Sequence, residues 1–102
     1  MSEFVTVGKA EEVPSGRIVG FVVKGKKVAV VNLDGRFYAI GSVCTHMGGP
    51  LELGQLQGKV ITCPWHGSRF DVTSGNVVMG PASVAEQSYQ VRIEGNDIQI
   101  EV

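Results

Sequence analysis

Hydrophobic and polar residues alternate with a period of two along most of this chain, and turn-forming residues interrupt the alternation at short intervals. Phe4-Val5-Thr6-Val7 predicts a first strand, followed by a turn over Glu11-Glu12-Val13-Pro14-Ser15-Gly16, where proline fixes φ and glycine frees it. Arg17 to Val23 is a β-branched run ended by Lys24-Gly25-Lys26, and Lys27 to Leu33 is the next strand. Its partner is Arg36-Phe37-Tyr38-Ala39-Ile40, because the intervening Asp34-Gly35 suits a two-residue type I′ hairpin. Further on, Gly54 to Gly58 predicts a turn, Lys59 to Thr62 and Arg69 to Val72 short strands, Thr73 to Asn76 a turn, and Val77 to Met79 a strand halted by Gly80-Pro81. Tyr89, Val91 and Ile93, then Ile98, Ile100 and Val102, mark the buried face of a closing hairpin that turns at Gly95-Asn96. Ser83 to Gln87 is the only helical candidate, a single turn without a second apolar row. The pattern predicts an all-β fold, an antiparallel β-sandwich or small barrel.

Composition limits what that fold is for. The 102 residues make one domain spanning 1–102, 43% hydrophobic and only 19% charged, which excludes a disordered chain. A formal net charge of −1 provides no basic footprint for nucleic acid or an anionic membrane. The acidic pair Glu11 and Glu12 and the basic Lys24, Lys26 and Lys27 fall in predicted turns, where a solvated surface accounts for them. Met1-Ser2-Glu3-Phe4 opens no signal segment and no apolar run is long enough to cross a bilayer, so the expected location is the cytoplasm.

The chemistry is concentrated in two loops, Cys44-Thr45-His46-Met47-Gly48-Gly49-Pro50 and Cys63-Pro64-Trp65-His66-Gly67-Ser68. They contain all of the chain's 2 cysteines and 2 histidines. Cys-x-His, sixteen intervening residues and Cys-x-x-His provide two thiolates and two imidazoles, enough for tetrahedral zinc or for an iron-sulfur cluster with two cysteines on one iron and two histidines on the other. Structural zinc sites pair Cys with Cys and His with His at short intervals. Here each loop donates one of each, which suits two metal atoms side by side, each taking the same ligand type from both loops.

These paired motifs closely resemble those of Rieske-type [2Fe-2S] proteins, and the strand pattern, the length and the downstream Gly80-Pro81-Ala82 extend the resemblance over the whole chain. The resemblance implies a cluster-binding region of about residues 42–82, formed mainly by the two loops and inserted in the β scaffold. It implies that Cys44 and Cys63 bind the buried ferric iron and His46 and His66 the outer, reducible one. Ser68 would donate to a cluster sulfur, Gly48 and Gly67 would let amides approach the sulfides, Pro81 would stiffen a shielding third loop, and Trp65 and Met47 would form an apolar collar. Rieske proteins of quinol-oxidising complexes resemble this pattern but add a cysteine to each loop, joined in a disulfide. Gly49 and Trp65 fall at those positions here, and Phe70 falls where that branch has a tyrosine whose hydroxyl reaches the cluster.

The implied function is that of a soluble ferredoxin, a monomer passing single electrons from a ferredoxin reductase to a terminal oxygenase or hydroxylase and transforming no substrate itself. Both histidines are spent on the cluster, and the chain has no G-x-G-x-x-G nucleotide loop. Two alternatives remain at this point: a Rieske-like small subunit of a larger oxidoreductase of the nitrite or arsenite type, and a structural zinc-binding interaction module.

Overall fold

The computed structural model describes residues 3–45, 48–65 and 67–101. Among these residues, eleven strands form three antiparallel sheets. β1 (Phe4–Lys9), β10 (Val91–Glu94) and β11 (Asp97–Glu101) make the first, with β11 in the centre. β2 (Ile18–Val23), β3 (Lys26–Leu33), β4 (Arg36–Gly41) and β9 (Ser88–Tyr89) make the second. β5 (Gln55–Gln57), β6 (Val60–Thr62), β7 (Arg69–Asp71) and β8 (Val77–Met79) make the third.

The second sheet is the middle layer, and β3 shows why. Val28, Ala29, Val30 and Val31 are all buried, an unbroken apolar run of the kind that belongs to a strand covered on both faces. Val28 and Val30 point into one core with Val13, Val23, Ala39, Ile98 and Ile100, against the first sheet. Ala29 and Val31 point into a second core with Ile40, Leu51, Ile61, Phe70, Val72 and Ala82, against the third. Ile98 and Ile100 are fully buried, and each such side chain contributes roughly 1.5–3 kcal/mol.

The hairpins follow from turn chemistry. Asp34-Gly35 joins Leu33 to Arg36 with both residues at positive φ (53° and 93°), the geometry of a type I′ turn. Lys24-Gly25 does the same between Val23 and Lys26, so β3 begins one residue before the predicted Lys27. Gly95-Asn96 closes the last hairpin as expected, although Val102 lies outside the described residues.

Two expectations are corrected. The predicted turn over Gly54 to Gly58 contains strand β5, with Leu56 paired to Ile61 and packed on the second core; its polar flanks Gln55 and Gln57 hid the alternation, and the turn itself is Gly58-Lys59. Ser83 to Gln87 is not helical. Its backbone is committed to distant partners: the Glu86 N–H donates to Gly75 O at 2.8 Å and Gln87 O accepts from Gly41 N–H at 2.9 Å, which leaves no local ladder to form.

The chain leaves the middle sheet at Gly41 and returns beside it at Ser88, where Ile40 pairs with Ser88 and Ala39 with Tyr89. The third sheet and three long loops lie between these points.

Candidate metal centre

The first loop follows β4. Its neck is closed by Leu51 N–H donating to Ser42 O (2.8 Å) and by an antiparallel bridge between Val43 and Pro50. Inside the neck, Cys44 N–H donates to Gly49 O and Gly48 N–H to Cys44 O, both at 2.8 Å, so Cys44 is held from both sides of its peptide. The second loop joins β6 to β7 and closes with Cys63 N–H donating to Ser68 O at 2.7 Å. Within it, Trp65 N–H points at the Cys63 Sγ at 3.4 Å.

A third segment, Gly80 to Gln87, ties the two together. Ala82 N–H donates to the Ser68 hydroxyl oxygen at 3.0 Å, and the Thr45 hydroxyl donates to Val84 O at 2.5 Å. The Gly80–Pro81 peptide at its start is cis, and Pro81 itself is exposed.

These contacts bring Cys44, Cys63 and Ser68 into one buried place, with exposures of 2%, 2% and 0%. Neither cysteine is in a disulfide. Burial pushes the Cys63 thiol up, against the Trp65 N–H, and the adjoining Cys44 thiol and the Glu86 carboxyl push it the same way. Two apolar-walled thiols side by side, with no cationic group beside them among the described residues, suit a site where a metal ion supplies the positive charge. The Ser68 hydroxyl accepts from Ala82 and has no acceptor for its own proton among the described residues, which fits a sulfide neighbour.

Gly48 and Gly67 both have positive φ, 76° and 78°, and turn the chain beside each cysteine. Trp65 is 50% exposed, and Val43 at the neck of the first loop and Val84 on the third segment are exposed apolar residues as well. The other half of the expected collar, Met47, and the expected imidazoles of His46 and His66 lie outside the described residues. Among the described residues, no three His, Cys, Asp or Glu side chains meet as a metal site.

Gly49 faces Trp65 directly. A Cβ added at Gly49 would lie 3.1 Å from the Trp65 Cβ and 2.7 Å from the Cys63 Sγ. The two positions where quinol-oxidising relatives would place a disulfide are therefore opposite each other, and the Trp65 side chain packs against a bare glycine backbone instead.

The Rieske [2Fe-2S] domain family matches residues 3–91. The chain belongs to that family. This Rieske protein is 36% identical over 91 residues to the ferredoxin component of the naphthalene 1,2-dioxygenase system of Pseudomonas aeruginosa, covering 89% of this chain and 88% of that one. Its fold superposes on the ferredoxin of carbazole 1,9a-dioxygenase from Nocardioides aromaticivorans IC177 with a TM-score of 0.91 and 30% identity, over 95% of both chains. It also superposes on a chain of the complex of reduced oxygenase and oxidized ferredoxin in carbazole 1,9a-dioxygenase, with a TM-score of 0.90 and 30% identity over 95% of this chain and 91% of that one. The Rieske protein's cofactor is accordingly a [2Fe-2S] cluster, and the structural zinc module is set aside.

One residue of the site was invisible in the sequence. Glu86 is buried beside the first loop, its carboxyl against the Thr45 N–H and its Oε1 2.7 Å from where a Gly41 Cβ would stand. No local motif marks it, because the Gly41 backbone and the Thr45 N–H reach it from β4 and the first loop, far away in the chain.

Proposed function

We propose that this chain is a one-electron carrier in which Cys44 and Cys63 hold the inner iron of the cluster and His46 and His66 hold the outer one, within a cluster-binding region of about residues 42–82. The bound cluster accepts and returns a single electron. The surrounding residues bury the thiol side, tie the loops together and leave Trp65 half-exposed on the second loop, where a partner approaches. Electrons come from a reductase and leave through His46 and His66 to a terminal oxygenase or hydroxylase. The protein works as a monomer in the cytoplasm; among the described residues no helix is long and apolar enough to cross a membrane.

The observation that carries this reading is the pair of free, buried thiols at the base of two facing loops, beneath the half-exposed Trp65. Electron paramagnetic resonance of the dithionite-reduced protein tests it. Mixed nitrogen and sulfur ligation gives a lower average g than an all-cysteine cluster, and a colourless protein with stoichiometric zinc would overturn the reading.

Two neighbours set the potential. Phe70 is fully buried but has no hydroxyl, while Ser68 keeps one, so the reduced cluster receives one side-chain donor fewer than in the quinol-oxidising branch. The midpoint belongs in the lower part of the Rieske window of about −150 to +300 mV, and protein-film voltammetry giving more than about +200 mV would refute that placement.

A further inference from the structure

Glu86 is a buried acid with no counter-charge among the described residues. It is 7% exposed, and its Oε2 has no hydrogen-bond partner among the described residues. The groups facing it can be named from each packed element. The first loop brings the Thr45 N–H, next to Cys44; β4 brings the bare backbone of Gly41; the turn before β8 brings Gly75, whose carbonyl holds the Glu86 N–H. The second loop brings the Cys63 thiol within electrostatic reach, and β9 brings the Tyr89 phenol, which burial and the Glu86 carboxyl keep above its usual range and so neutral. The ion pairs among the described residues all lie elsewhere, on Lys9, Lys24 and Lys59.

A buried carboxylate with a single backbone donor is costly, and a neutral acid is much less so. Burial accordingly pushes the Glu86 carboxyl up to about 7, against the Thr45 N–H. On the ligand set proposed above, two ferric ions, two sulfides, two thiolates and two neutral imidazoles carry no net charge, and one added electron makes the centre anionic. That charge appears in a low-dielectric interior shared with Glu86, where it favours the protonated acid.

We propose that Glu86 is a proton-binding site coupled to the cluster: its carboxylate takes a proton from solvent when the centre takes an electron, and releases it when the electron leaves. The proposal rests on the cluster reading above. One electron from the donor and one proton from water enter together, a carboxylate oxygen becomes a carboxylic O–H, and both are returned on oxidation. This coupling operates near neutral pH, apart from any alkaline titration of the imidazoles.

The sign is fixed by linkage. Reduction raises the proton affinity of Glu86, so the midpoint potential falls as pH rises through neutrality, by about 59 mV for each tenfold gain in affinity. The test is the midpoint of the holoprotein from about pH 5 to 9, for the native chain and for Glu86→Gln, with the Rieske resonance recorded for each. The native chain is expected to show a fall through neutral pH that the variant loses while keeping its resonance. A flat native profile, or a fall that persists in the variant, overturns the proposal alone; absence of the resonance from the native protein overturns the cluster reading and the proposal with it. Should the variant fail to fold, redox-difference infrared spectra of the native protein decide. A carboxylic C=O band gained on reduction and shifted in D2O is expected, and its absence refutes the assignment.

Discussion

The two cores of this molecule are built on different principles. The core between the first and middle sheets is made of long strands and β-branched residues: Val28, Val30, Ile98 and Ile100 are all fully buried, and the turns that join their strands are two-residue hairpins. The core beneath the loops contains three-residue strands, two cysteines and two alanines, and backbone hydrogen bonds within the loops and to the third segment brace it. There the chain passes close to itself. A Cβ on Gly75 would lie 2.1 Å from the Glu86 carbonyl oxygen, closer than any side chain permits, so this glycine is what lets the third segment dock. The first core stores stability in burial, and the second spends it on positioning the site.

That contrast predicts where damage goes. The largest effect is expected from Cys63→Ser, which removes a proposed ligand: the cluster is lost, read as bleaching of visible absorbance and loss of bound iron. Hydrogen exchange should then speed up in residues 42–87 while the amides of β10 and β11 stay protected; uniform loss of protection would show that the two cores are one cooperative unit.

Ile98→Ala empties the opposite core. It is expected to cost about 2–5 kcal/mol in chemical denaturation while leaving the midpoint potential of the folded protein unchanged. A shifted potential would break the division between scaffold and site.

Glu86 links the two properties through pH. Its carboxyl is raised by burial from 4.5 to about 7, so the folded state holds a proton that the unfolded state releases. The stabilisation is fully present below pH 4.5 and is lost as pH rises through about 7. Between about pH 5 and 8 the apoprotein should lose about 2 kcal/mol of stability, a slope that Glu86→Gln removes. Equal slopes in the two proteins would place the acid outside the buried network.

The smallest effect separates geometry from electronics at a single hydroxyl. Ser68→Ala takes the acceptor away from the Ala82 N–H and the free O–H away from the site. The expected cost is about 1 kcal/mol of stability together with a lower midpoint potential, read by voltammetry. Lost stability with an unmoved potential would mean that Ser68 only ties the third segment down.

Much of the scaffold could be read directly from the chain. Alternation and turn dipeptides are short-range signals, so Asp34-Gly35 located one hairpin and Gly95-Asn96 another without reference to the rest of the molecule. The Cys-x-His and Cys-x-x-His motifs were legible for a related reason, since rare residue types at fixed spacing carry their chemistry with them. Ser83 to Gln87 marks the limit. Its local pattern suggested a helical turn, whereas Gly75 and Gly41 take its backbone hydrogen bonds instead. Strand β5 was missed similarly, because a three-residue strand with glutamines on both sides has too few positions to show a period.

The sequence by itself determined the all-β class, the main hairpins, the two loops and the family to which they belong, because each depends on residues near one another in the chain. Only the tertiary structure decided that β3 separates two cores, that Trp65 lies on Gly49, and that Glu86 is buried beside the first loop with no counter-charge among the described residues. Those features arise where distant segments exclude water from one another, and burial of that kind is a property of the assembled fold.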